Sequence, residues 1–334
     1  MGNEESPPEL KQTDKLLLYI NKSYYFNNDI IKGKITFYTN TKKCIITFKK
    51  IEYWYNLNEF VERKNLKKED LNLNSYEINP NDNNLEFTIK LNNLEPSFEY
   101  YYNKNQLVRV CFLRYILSIE IDNNIINEEL ISIKRAPIHN FYKENSSSVN
   151  TEINKWLGLS KNGTCKLKID LKKNYFKIDE NIDIIITIDN LLCELKVKSL
   201  TVYILRNIYL FQNNEIKYTF EECYNKIEQT IDLLPFSIDK FNFTLKFHDN
   251  LPIAPKNKFG LGQKYIDPID YIPTCFGKII QNVYFIYAVI NYEKSINKNP
   301  NVFIPIFVGN KEENNLNIDF NNNIDNNNIK YEEK

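Results

Sequence analysis

Two histidines, six cysteines and eight glycines are the scarce residues from which chemistry would have to be built in this chain of 334 residues. His139 and His248 lie far apart and lack the close spacing of a metal-binding pair, so both read as ordinary loop residues. Cys44, Cys111, Cys165, Cys193, Cys223 and Cys275 contain no C-x-x-C pair, which predicts neither a zinc site nor a compact disulfide framework. As cytosolic thiols they are expected to be mostly buried in strands. Gly260-Leu261-Gly262 is a bare G-x-G in a proline-flanked loop, and neither a phosphate loop nor a G-x-S-x-G elbow accompanies it. Carboxylates are too many to mark out a general acid and base. The expectation is a protein without catalytic residues, cofactor or metal.

One motif carries a mechanism. Met1-Gly2-Asn3-Glu4-Glu5-Ser6 fits M-G-x-x-x-[ST], so removal of Met1 would expose the Gly2 amine to a myristoyl chain. One such chain holds a membrane only marginally and needs a second signal. Glu4 and Glu5 argue against a local one, which leaves the folded domains or a membrane-bound partner. The pairs Lys42-Lys43, Lys49-Lys50, Lys67-Lys68 and Lys172-Lys173 either gather on one face, to meet acidic lipid or phosphorylated cargo, or are solvated strand ends.

Charge narrows the partners. Lys plus Arg and Asp plus Glu both number 43, so no excess positive field favours nucleic acid. The apolar run Val283 to Ile290 falls well short of the roughly 18 to 20 residues of a membrane-spanning helix. The polar first fifteen residues lack the basic start and apolar centre of a secretory signal, which predicts a cytoplasmic protein. The sequons at Asn21, Asn145, Asn162 and Asn242 would then be unused.

The elements behind these residues read as strands. Leu85 to Leu91, Cys165 to Leu171 and Phe241 to Phe247 alternate apolar and polar residues, the period of a strand with one face on a core. Lys34 to Tyr38, Ile45 to Tyr55, Arg114 to Ile121, Ile182 to Ile188, Leu195 to Leu210, Val283 to Ile290 and Val302 to Val308 are further candidates. Abundant Ile, Tyr and Phe suit pleated surfaces, so an all-β chain of antiparallel sandwiches is expected. Two segments depart from the pattern. Residues 57 to 73 are charged, and Glu59 and Arg63 have the i,i+4 spacing of a short helix on an exposed excursion. Residues 139 to 162 hold Ser146-Ser147-Ser148, then Val149, Ile153, Trp156 and Leu157 at helical spacing before Gly158, which reads as a linker with an amphipathic turn. The organisation is therefore a flexible stretch over 1–13, a sandwich over 14–138, a linker over 139–162 and a second sandwich over 163–310. Residues 311–334, poor in apolar side chains, read as a disordered tail.

Several segments then resemble one family. Tyr24-Tyr25-Phe26-Asn27-Asn28-Asp29-Ile30-Ile31-Lys32-Gly33-Lys34-Ile35 is similar to the opening turn of arrestin domains, with Asn28 where the family has glycine. Asn adopts left-handed backbone readily enough to keep that turn. Leu94-Glu95-Pro96-Ser97-Phe98-Glu99 resembles the family's proline-serine-phenylalanine turn ahead of a long strand over Arg109 to Ile121. Phe176 to Ile182 repeats the opening pattern about 150 residues later, Ile188-Asp189-Asn190 and Lys196 to Leu205 resemble the strand pair that follows, and Cys275 to Ile280, Val283 to Tyr287 and Ile304 to Gly309 resemble the closing strands. The chain thus resembles an internal duplication of arrestin type. Pro96 to Tyr102 with Leu113-Arg114-Tyr115 also resembles the retromer subunit of the same fold, the twenty-sixth vacuolar sorting protein.

The resemblance implies two immunoglobulin-like sandwiches in tandem and a non-catalytic adaptor that binds membrane or trafficking proteins at the plasma membrane or endosome. The alternative it implies is a retromer-type or other constitutive subunit of a coat or cytoskeletal assembly. Not every family device is present. Pro7-Pro8-Glu9-Leu10 lacks the tyrosine of a ligase-recruiting motif, Leu316 to Phe320 is a degenerate echo of a clathrin-binding peptide, and no buried charge network is legible.

Overall fold

A computed structural model describes residues 9–39, 43–58, 61–78, 83–104, 107–134, 144–154, 161–178, 180–247, 273–293 and 299–309. Among these residues there are only strands, turns and bends. The first ten strands are β1 (Glu9–Gln12), β2 (Leu16–Ile20), β3 (Tyr24–Phe26), β4 (Ile30–Phe37), β5 (Lys43–Asn58), β6 (Val61–Glu77), β7 (Asn84–Lys90), β8 (Phe98–Lys104), β9 (Leu107–Ile121) and β10 (Asn124–Lys134). The next ten are β11 (Asn145–Asn154), β12 (Lys161–Leu171), β13 (Tyr175–Lys177), β14 (Asn181–Cys193), β15 (Val197–Gln212), β16 (Glu215–Leu233), β17 (Ile238–Lys246), β18 (Cys275–Phe276), β19 (Ile280–Tyr292) and β20 (Asn301–Gly309).

The two sets have the same wiring. In the first, one sheet runs β1-β2-β4-β7 and the other β3-β10-β9-β5-β6, with β8 beside β9. The second repeats this as β11-β12-β14-β17 and β13-β20-β19-β15-β16, with β18 beside β19. Each strand therefore has its counterpart ten strands on, as a duplication requires. Pairing is antiparallel except where β3 joins β10 and β13 joins β20, which are parallel.

Alternation explains both sandwiches. In β4, Ile31, Gly33, Ile35 and Phe37 turn inward while Ile30, Lys32 and Lys34 face water. Gly33 is required by packing, because a Cβ there would run into the Phe87 ring from β7. Asn28 has φ 73°, so the opening turn takes the left-handed residue expected of it. Asp29 fastens that turn: its Oδ2 accepts from the Phe26 amide at 3.1 Å and from Lys22 Nζ at 3.2 Å. In the proline-serine-phenylalanine turn, buried Ser97 exchanges bonds with the Ile133 backbone at 2.9 and 3.2 Å.

The short helix expected over residues 57–73 is overturned. Val61–Glu77 is instead the long edge strand β6, paired with β5 from Lys43↔Glu77 to Asn58↔Val61. Lys and Glu are good helix formers, which misleads a local reading. Lysine is equally at home on an edge strand, where charge discourages stray pairing. The amphipathic turn expected from Val149 is also overturned over Asn145–Asn154, which form β11 and pair with β12. Val149 and Ile153 stand four apart, a spacing that fits a strand face as well as a helix face. Trp156, Leu157 and the tail over 311–334 lie outside the described residues.

Candidate functional site

Three strands of the second sandwich pass from one hydrophobic core into the other. On β15 the inward residues Val202 and Ile204 pack in the second core, and Ile208 and Leu210 pack in the first. On β16 Tyr224 belongs to the second core and Phe220 to the first, and on β19 Tyr284 and Ile280 divide in the same way. At the crossing each strand turns a polar residue inward: Arg206, Glu222 and Asn282. A polar layer therefore separates the two cores.

Arg206 is 2% exposed. Its Nη1 donates to the Tyr224 hydroxyl at 3.1 Å and lies 3.4 Å from Glu222 Oε2. Tyr224 donates to the same carboxylate, and Tyr100 of the first sandwich donates to Glu222 Oε1 at 3.0 Å. The guanidinium also stands 5.1 Å from the centre of the Tyr100 ring. Burial works against its charge, but Tyr284, Tyr224, Glu222 and Tyr100 outweigh that and hold it above its ordinary pKa. Burial, reinforced by Glu222, also raises the Tyr100 and Tyr224 hydroxyls, so both stay protonated as donors.

A second set of contacts clasps the turn between β18 and β19. Glu52 is 1% exposed, and its two oxygens accept the backbone N–H of Lys278 at 3.0 Å and Ile279 at 2.8 Å. Lys50 balances that carboxylate at 2.8 Å. Glu95 Oε2 accepts the Phe276 amide at 2.9 Å, and Glu69 takes Lys278 Nζ at 2.8 Å. From β5 the Trp54 indole N–H donates to Phe211 O at 2.9 Å, and Asn65 donates to the same oxygen at 3.1 Å. A buried carboxylate gripping two backbone N–H groups is directional, so the Glu52 bonds in particular set how the sandwiches meet.

The outward faces of the larger sheets carry aromatic residues. On the second sandwich Tyr203 stands opposite Tyr287, and Tyr287 opposite Phe303. Their ring centres are 5.1 and 6.2 Å apart, the latter pair nearly parallel at 5°. Phe285 meets Phe303 edge-on at 5.5 Å, and Phe303 is 52% exposed. On the first sandwich Tyr53 lies 5.2 Å from Phe112, with Arg114 4.1 Å above Phe112. Burial lifts the Tyr203 hydroxyl to about 12, helped by Cys223 and Tyr287, so this face presents neutral phenols.

The residues singled out by sequence fall elsewhere. Gly2, His139, His248, Lys42 and the Gly260-Leu261-Gly262 loop lie outside the described residues. Of the described lysines in these pairs, Lys50 serves Glu52, Lys67 and Lys68 are exposed on β6, and Lys173 pairs with Glu180. Among the described residues no three His, Cys, Asp or Glu side chains converge on a metal position. The polar layer was missed, although its signal is present: Arg206 and Asn282 each hold an inward register position between apolar ones.

Five cysteines are buried and Cys223 is exposed. Burial raises the thiols of Cys44 and Cys111 to about 12 and that of Cys165 to about 11, which suppresses the reactive thiolate. Titration of the native protein with an aromatic disulfide reagent should label one thiol, Cys223. Labelling should be slow, because burial and Glu221 raise that thiol too. The remaining thiols should react only on unfolding, and rapid modification of several in the native state would contradict the packing.

No curated protein matches this chain. Residues 161–313, from the first residue of β12 to just past β20, match the family described as Arrestin (or S-antigen), C-terminal domain, and the chain is arrestin-like over this second sandwich.

Proposed function

We propose that this chain is a non-catalytic adaptor of arrestin type, acting in the cytoplasm at membranes, where it binds membrane or trafficking proteins. The observation that carries this reading is the half-exposed aromatic face built by Tyr203, Tyr287, Phe285 and Phe303. Aromatic side chains present large contact area with little conformational freedom to lose, and they are enriched where proteins bind one another. The polar layer and the Glu52 clasp support the same reading, since they hold two such faces in a set relation. Myristoylated Gly2 would supply reversible attachment, with a bound membrane protein as the second signal. No cofactor, metal or nucleic acid takes part.

Proximity labelling in the native cell tests this with wild type, Gly2→Ala and Phe303→Asp. Wild type is expected to label a set of membrane-associated proteins, Phe303→Asp to lose the direct contacts, and Gly2→Ala to lose membrane enrichment. A labelled set unchanged in both variants would sink the reading.

A further inference from the structure

Three neighbouring strands of the second sandwich turn an uncharged face outward. Every second residue from Ser199 to Phe211 on β15, from Gln281 to Asn291 on β19 and from Asn301 to Gly309 on β20 points away from the core, and none of these eighteen is charged. An antiparallel sheet with one face on a core normally turns polar residues to water. This one turns apolar rows outward instead: Phe303, Tyr287 and Tyr203 stand opposite one another, as do Pro305, Phe285 and Leu205. Phe276 of β18 lengthens the patch, 6.1 Å from Phe307 and 44% exposed. Charge returns at the border, where Lys198 ends the patch on β15, Lys177 pairs with Gly309 from β13, and Glu221, Lys226 and Glu228 are exposed on β16. The matching face of the first sandwich differs, with Lys49, Arg114 and Glu120 along its central strands β5 and β9.

Neutrality and size together indicate the occupant. In a two-fold contact the same surface lies on both sides, so a charge near the axis meets its own image and is repelled, whereas a different protein can meet it with the opposite sign. A face covered by a second copy must therefore be neutral at its centre, as this one is. Apolar sheets stack about 10 Å apart with their side chains interdigitated, which suits the protruding Phe303 and Pro305. The eighteen residues, with Phe276 and the outward residues of β16, reach the roughly 20–30 a side that a stable interface of about 800 Å² per partner needs.

We infer that this face packs on the same face of a second copy of the chain, sheet on sheet about a two-fold axis, and that the free protein is a closed dimer. The membrane or trafficking partners assigned to the face above compete with the second copy, so dimerisation regulates access to it. In naming what is excluded, the inference rests on the adaptor reading.

Sedimentation of the full chain over a concentration series tests it. Wild type should approach twice the monomer mass and stop there, with little loss in high salt, because no ion pair holds the centre. Phe303→Asp, which sets a carboxylate inside the contact, should weaken dimerisation by about tenfold or more. Its thermal unfolding should be unchanged, because residue 303 points away from the core. Leu66→Glu, exposed on β6 of the first sandwich, should dimerise as wild type does. A monomeric wild type, growth past the dimer, a Phe303→Asp chain that dimerises as wild type does, or a dimer lost in Leu66→Glu would overturn the inference. So would a monomeric wild type whose binding to zwitterionic lipid vesicles is lost in Phe303→Asp, since the face would then belong to a bilayer. The two readings fail separately: a monomeric wild type that still labels membrane-associated proteins in the cell removes the dimer alone, and a dimer whose labelled set ignores both Phe303→Asp and Gly2→Ala removes the adaptor alone.

Discussion

Arg206→Ala is expected to lower the stability of the whole chain by about 2–4 kcal/mol, measured as a fall in the urea midpoint at neutral pH. Alanine removes the cation from the layer between the cores but leaves Glu222 facing apolar neighbours, with the Tyr100 and Tyr224 hydroxyls turned toward it. Breaking a buried pair from one side costs more than the pair contributes, because the remaining charge has lost its partner. The full cost of such a break is tempered here, since the Glu222 side chain is 21% exposed and water can reach it. Arg206→Met with Glu222→Gln should recover most of the loss: both charges go, methionine fills the volume, and the glutamine oxygen still accepts a tyrosine hydroxyl. An Arg206→Ala midpoint equal to that of wild type would show that Glu222 and the two phenols are solvated, and that no dry polar layer exists.

Strand periodicity made the sandwiches readable, and the same periodicity concealed the joint. Val202, Ile204, Ile208 and Leu210 read as one inward stripe, and sequence cannot show that the first two pack in one core and the last two in another. Arg206 interrupts that stripe, but a lone polar residue in an apolar strand looks like a local flaw until Glu222 is seen opposite it. Glu52 was hidden differently. Its ligands are backbone amides at Lys278 and Ile279, more than two hundred positions away, and a backbone amide leaves no mark in the residue type. Strand β6 was misread because it is rich in charged residues, and only pairing with β5 distinguishes an edge strand rich in lysine from an exposed helix. What sequence read well was local geometry: Asn28 in its left-handed turn and Gly33 against Phe87.

Ile208→Ala is expected to destabilise the first sandwich, although Ile208 lies on a strand of the second. The residue is fully buried and packs in the cluster that contains Trp54, Phe48 and Leu113. Truncating a buried isoleucine to alanine typically costs about 2–5 kcal/mol, through lost transfer energy and the cavity left behind. Because the chain has two tryptophans, a Trp156→Phe background makes Trp54 the sole indole and its emission a probe of the first sandwich. In that background Ile208→Ala should shift the Trp54 transition and the far-ultraviolet circular dichroism transition together, by the same denaturant increment. Coincidence follows from β15, β16 and β19 each contributing to both cores, so neither sandwich can open without exposing apolar surface of the other. If Trp54 emission kept its wild-type midpoint while circular dichroism moved, the sandwiches would be separate cooperative units, and the polar layer would be a contact surface between them. If both move as one, the relative placement of the two aromatic faces is as stable as the fold itself, and changing it would require breaking the bonds of Arg206 and Glu52.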